Sequence, residues 1–239
     1  MKKFITFILL ISLAGTVNAQ WYGKKIKGNG NVVIENRNVS DYDKISVAGS
    51  FDVKLVSGQE GKLMIKAEEN LLEYLITEVD DGNLKIKWKK GVSIRTNKEV
   101  LVTVPFKVIE GVSLAGSGDV FSEDVIETDM FKVALSGSGD IKLRLKANEV
   151  SSAVSGSGDI KLGGTTNKFK CSIAGSGDFH GYELTTKEAD ISIAGSGGVK
   201  VYVTEKLKGR IAGSGDIYYK GEPKIQDVKV SGSGSVSSQ

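Results

Sequence analysis

Five aspartates recur along the chain at nearly fixed intervals: Asp119, Asp140, Asp159, Asp178 and Asp216, each three residues after the first glycine of a Gly-Ser-Gly triplet. Stacked at the spacing of neighbouring strands, such carboxylates repel one another by roughly 1 kcal/mol in water and by more in a protein surface. Something must offset that cost. In one reading, the carboxylates accept hydrogen bonds from neighbouring backbone N–H groups and serine hydroxyls and pair with outward lysines such as Lys142 and Lys161. In the other they bind a divalent cation, since Ca²⁺ takes several carboxylate and carbonyl oxygens. Gly198 and Ser235 stand where the column would continue, which argues against an unbroken calcium ladder, so no cofactor is assigned. These five aspartates with Lys142 and Lys161 form the candidate binding surface.

Other reactive residues are few. His180 is the only histidine and Cys171 the only cysteine. His180 falls in a column with Lys142, Lys161 and Lys200 and is expected on the outer face, so no Ser-His-Asp triad is supported. Zinc needs three or four His, Cys or carboxylate ligands, and neither His180 nor Cys171 has a partner in the sequence pattern. A polysaccharide lyase or glycosidase would need paired carboxylates, or a carboxylate with a base, on a concave face. No residue is singled out for such a role by departing from the repeat, and the chain reads as non-catalytic.

The elements that position these residues follow from the repeat. Gly-Ser-Gly begins at Gly116, Gly137, Gly156, Gly175, Gly195, Gly213 and Gly232, with successive spacings of 21, 19, 19, 20, 18 and 19. Apolar residues stand two before the first glycine (Leu114, Leu135, Val154, Ile173, Ile193, Ile211, Val230) and four after it (Val120, Ile141, Ile160, Phe179, Val199, Ile217, Val236). Between them, apolar and polar residues alternate with the period of a strand. A period near 19 suits one coil of a solenoid. The expected fold is all-β: a single-stranded parallel β-helix of Gly-Ser-Gly-Asp coils. The glycines have two readings, a core-facing position where walls approach closely or a turn with positive φ.

Earlier residues carry the pattern more weakly. Ile45 to Val53 is a degenerate copy. Leu71, Leu72, Leu75 and Ile76 predict one short amphipathic helix within Glu68 to Glu78, and Asp81-Gly82 is a hairpin signal. Leu84 to Trp88 and Glu99 to Val104 read as strands. The expected organisation is a signal peptide over 1–19, an N-terminal segment over 20–44 and a single β-helix domain over 45–239, with the helix and hairpin as an insertion capping one end.

The start Met1-Lys2-Lys3, the apolar run Phe4 to Leu13 and the approach Val17-Asn18-Ala19 predict cleavage after Ala19 and export to the periplasm, cell surface or medium. Without the leader, Lys plus Arg number 30 against 29 Asp plus Glu. Lysines and acids interleave, so a nucleic-acid partner is excluded. No second long apolar run predicts membrane insertion of the mature chain, and a lone cysteine leaves stability to packing and hydrogen bonds.

The apolar-Ala/Ser-Gly-Ser-Gly-Asp-apolar repeats, the opening Ser46-Val47-Ala48-Gly49-Ser50-Phe51-Asp52-Val53 and the strand Leu84-Lys85-Ile86 after Asp81-Gly82 resemble the head GIN domain family of auto-transporter adhesins from Bacteroidetes, over about Ile45 to Val236. The resemblance implies a pectin-lyase-like β-helix without catalytic residues and an adhesive role toward a cell-surface glycan or protein. The chain departs from the family's name in carrying no recognisable membrane barrel. A purely structural envelope protein is the other non-enzymatic reading, and the sequence leaves the oligomeric state open.

Overall fold

The computed structural model describes residues 23–239; the expected signal peptide lies outside them. The N-terminal third contributes β1 (Lys24–Lys27), β2 (Val32–Asn38), β3 (Lys44–Gly49), β4 (Asp52–Ser57) and β5 (Lys62–Glu68). A 3-10 turn over Glu69–Tyr74 follows, then β6 (Leu75–Asp80), β7 (Asn83–Trp88), β8 (Val92–Arg95) and β9 (Leu101–Phe106). The repeats supply β10 (Gly111–Gly116), β11 (Val120–Gly137), β12 (Ile141–Gly156), β13 (Ile160–Gly175), β14 (Phe179–Gly195), β15 (Val199–Gly213), β16 (Ile217–Lys220), β17 (Ile225–Gly232) and β18 (Val236–Ser238). Together they wind a β-solenoid of about seven turns.

Successive coils pair in parallel and in register. Leu135 lies beside Val154, Val154 beside Ile173, Ile173 beside Ile193 and Ile193 beside Ile211. This line is buried, as is the line of Ile141, Ile160, Phe179, Val199 and Ile217. Like residues therefore stack along the axis, and each coil's apolar side chains complete the floor of the next.

The Gly-Ser-Gly-Asp segments are corners. The first glycine of every triplet has φ between +127° and +140°, a region open in practice to glycine alone. The inward phase nevertheless continues through the corner, with Gly139 buried between buried Leu135 and Ile141. The close approach is to the neighbouring coil along the axis, not to an opposite wall. A Cβ on Gly137 would run into the Gly116 carbonyl, and one on Gly139 into that of Gly118. That space is used by hydrogen bonds: the Gly116 carbonyl accepts the N–H groups of Ser138 (2.9 Å) and Gly139 (3.1 Å), and the Gly137 carbonyl those of Ser157 and Gly158.

A second corner was not legible from the glycines. Asn148 and Asn167 drop out of the ladder register, and the inward phase flips there, so that Ala147 and Val150 are both buried. Buried Thr166 closes this corner by donating its hydroxyl to the carbonyls of Asn148 or Lys168, each 3.1 Å away, and the Asn167 amide donates to the Asn148 side chain at 2.8 Å.

The N-terminal end is finished differently from the expected helical insertion. The Asp81-Gly82 turn, with both residues at positive φ, zips β6 antiparallel onto β7, pairing Leu75 with Trp88 and Ile76 with Lys87. Those two apolar residues are thereby withdrawn from any helix, and only Glu69–Tyr74 remains as a 3-10 turn. Arg37 holds the turn by donating to the carbonyls of Leu72 and Leu75. The strands β2 on β5 and β5 on β9 are also antiparallel, so this end is capped by chain running against the coils, which protects the first parallel edge.

Cys171 is fully buried in the column of Val112, Val133, Ser152, Ile191 and Val228. Burial pushes its thiol up to about 12, and a thiol that cannot ionise is a poor nucleophile. The native protein is expected to resist a disulfide reagent at pH 8 and to release one equivalent on denaturation. Rapid reaction of the folded chain would contradict this placement.

Candidate functional site

The aspartates sit at the outer side of the glycine corners, and the geometry shows what holds them. Oδ1 of Asp119 accepts the N–H of Asp140, Oδ1 of Asp140 that of Asp159, and Oδ1 of Asp159 that of Asp178, each at 2.9 Å. Asp178 accepts from Gly198 N–H at 2.6 Å, and Asp216 accepts from both the N–H and the hydroxyl of Ser235. Every carboxylate thus ties its corner to the next coil through a charge-assisted bond. The last coil, with no coil beyond it, carries Ser235 instead of an aspartate.

Asp216 shows the electrostatic consequence: the Ser235 hydroxyl, then its N–H, hold the carboxyl below its ordinary range. The stabilisation this represents is present above the unfolded carboxylate's range and is lost as pH falls through the lowered folded one.

The lysines do not pair with the column as expected. Lys161 meets Glu183 at 2.7 Å, and Lys142 has no ion pair among the described residues. His180 is not the isolated surface residue of the sequence reading: its Nε2 lies 3.4 Å from Asp159 Oδ2. Donor atoms of Asp159, Asp178 and His180 fall within 4.8 Å of one another, all partly exposed. With Oδ1 of each aspartate engaged by an amide, the remaining oxygens and the imidazole face outward.

The face is also not uniform. Between Phe121 and Val125 the register of β11 on β12 shifts, three residues lying opposite Leu143 alone. The bulge is pinned by Ser57, whose N–H donates to Asp124 Oδ2 at 2.7 Å. It forms one wall of a cleft of about 440 Å³ lined by Asp119, Asp140, Asp159, Lys142, Lys161 and His180, with Phe121 at the bulge. A second shift, after Gly181, throws out Tyr182 and Glu183. The sequence did carry this signal, in the coil lengths of 21 and 20 where the others are nearer 19; a coil with extra residues and an unchanged ladder must bulge.

Beyond His180 the same side carries aromatic rings. The Lys220 ammonium stands 4.6 Å from the centre of the Tyr182 ring, Tyr202 pairs in register with Lys220, and the Tyr218 hydroxyl reaches Asp216 at 3.3 Å. Trp88 and Tyr219, flat rings that also attracted notice in the sequence, serve packing instead. Trp88 meets Phe51 edge-on at 5.3 Å, and Tyr219 lies against the core.

Asp159→Asn keeps the oxygen that accepts from Asp178 and is expected to change stability by less than about 1 kcal/mol; Asp159→Ala orphans that amide and is expected to cost about 1–2 kcal/mol. Denaturant midpoints of the two variants test the ladder. Equal losses would show that the bond contributes nothing.

Residues 41–223 match the family described as "Putative auto-transporter adhesin, head GIN domain". A "putative adhesin" from Bacteroides fragilis superposes with a TM-score of 0.86 at 23% identity, covering 90% of this chain and 100% of the other. A "putative lipid binding protein" from Parabacteroides distasonis gives 0.76 at 28% identity with the same coverage. A "putative adhesin" from Parabacteroides merdae gives 0.72 at 23%, covering 90% and 99%. No curated protein matches the chain. Among the described residues, no helix is long and apolar enough to cross a membrane.

Proposed function

Because the chain belongs to the head GIN domain family of auto-transporter adhesins, we propose that it is an exported, non-catalytic adhesion protein that binds a cell-surface glycan along its aspartate corner. The observation that carries this reading is the cleft of Asp119, Asp140, Asp159, Lys142, Lys161 and His180, continued on the same side by Tyr182, Tyr202 and Tyr218. Outward carboxylate oxygens accept from sugar hydroxyls, the lysine ammoniums donate to them, and flat tyrosine rings cover their apolar faces. Several weak contacts along one solenoid face add through avidity.

A second ligand class has its own support. The neighbouring face is a shallow apolar depression of about 520 Å³, built from Ala115, Ala134, Ala153, Ala174 and the serines between them, and the relative at 28% identity is named for lipid binding.

The test is an array of glycans and matrix proteins, with lipid vesicles alongside, probed by the chain without its leader. The expected result is a glycan signal that Lys142→Gln/Lys161→Gln reduces at least tenfold and Asp159→Asn changes little. These lysines are the cleaner probes, because the aspartates also hold coils together. Binding to vesicles alone would favour the apolar face, and turnover of a polysaccharide would overturn the non-catalytic assignment.

A further inference from the structure

The solenoid ends on an open strand. β17 pairs with β15 on one side and with nothing among the described residues on the other, and β18 pairs only with β16. Val230 extends the core line of Leu135 to Ile211, yet it is 42% exposed, and Ile225 is 57% exposed. The opposite end, by contrast, is capped by antiparallel strands.

We propose that β17 pairs with β17 of a second copy of this chain, antiparallel about a two-fold axis centred on Val228. A two-fold normal to the sheet keeps inward residues facing inward, so its centre must fall on a residue and not between two. Centred on Val228, it sets Val228 against Val228 and Gln226 against Val230 on the core side. On the outer side Asp227 faces Lys229, twice by symmetry. Centring on Asp227 opposes two carboxylates, centring on Lys229 opposes two ammoniums, and centring on Gln226 or Val230 leaves Asp227 and Lys229 unmatched. Only the Val228 register is complementary in charge while continuing the apolar core, which is the self-complementarity an isologous contact requires. Directly opposed opposite charges favour strand pairing and like charges disfavour it.

Sedimentation of the chain without its leader across a concentration series tests this. The expected result is a monomer–dimer equilibrium. Lys229→Glu places Glu against Asp227, and Asp227→Lys places Lys against Lys229; each is expected to weaken self-association at least tenfold. An equimolar mixture of the two restores both pairs and is expected to dimerise like the parent, which also shows that neither variant is misfolded. A parent chain that stays monomeric at every concentration overturns the proposal. So does a dimer indifferent to both variants, a mixture that fails to associate, or growth into long head-to-tail oligomers.

Discussion

Gly137→Ala is expected to destabilise the protein by about 3 kcal/mol or more, the upper range for a single substitution. Two costs combine. The residue has a φ of +132°, which L side chains adopt only under strain of about 1–3 kcal/mol. Its new methyl group would also run into the Gly116 carbonyl, which is held in place by the N–H groups of Ser138 and Gly139. Backbone cannot swing aside as a side chain can. Gly163→Ala is the control, because its φ is ordinary and the added Cβ would meet the Glu183 Cβ at 3.4 Å, a normal contact. It is expected to stay within about 1 kcal/mol of the parent. Urea midpoints followed by circular dichroism compare the two, and similar values for both would refute the corner argument.

Phe179→Ala is expected to cost about 3–5 kcal/mol, as for other buried aromatic truncations. The ring is fully buried, with the Phe169 ring 4.7 Å away at 31°, and Ile160 and Val199 are its register neighbours in the adjoining coils. Gly181 exists for this ring, since a Cβ there would strike it. Phe179→Leu, which retains most of the volume, is expected to cost less than about 1.5 kcal/mol. A loss below 1 kcal/mol for the alanine variant would mean that neighbouring coils close over the gap.

The repeat was legible because a solenoid makes sequence period and spatial period the same thing. Leu135, Val154 and Ile173 align in the sequence at 19-residue steps and align in space for that reason. The cap was less legible. Leu71, Leu72, Leu75 and Ile76 fit a helical face, but the adjoining Asp81-Gly82 turn makes Leu75–Asp80 one arm of a hairpin, and six ladder partners outweigh one turn of helix. The Asn148 corner escaped notice because Asp129, Asn148, Asn167 and Lys187 share a position and not a residue type. The aspartate column was read correctly as recurrent and incorrectly as featureless. What localises the cleft is the surplus residues at Ser122–Asp124, visible only as a departure from the period.

The bonds that join one coil to the next run along the solenoid axis, as do those of the aspartate ladder. A pull applied between the two ends of the chain therefore loads these bonds in series, and the open C-terminal coil gives way before the capped end. Each coil that peels off frees 19 or so residues, roughly 65 Å of extended chain, while those behind it stay folded. Tension would then be met by stepwise lengthening, so that a contact held by this chain is cushioned against sudden load before it is broken.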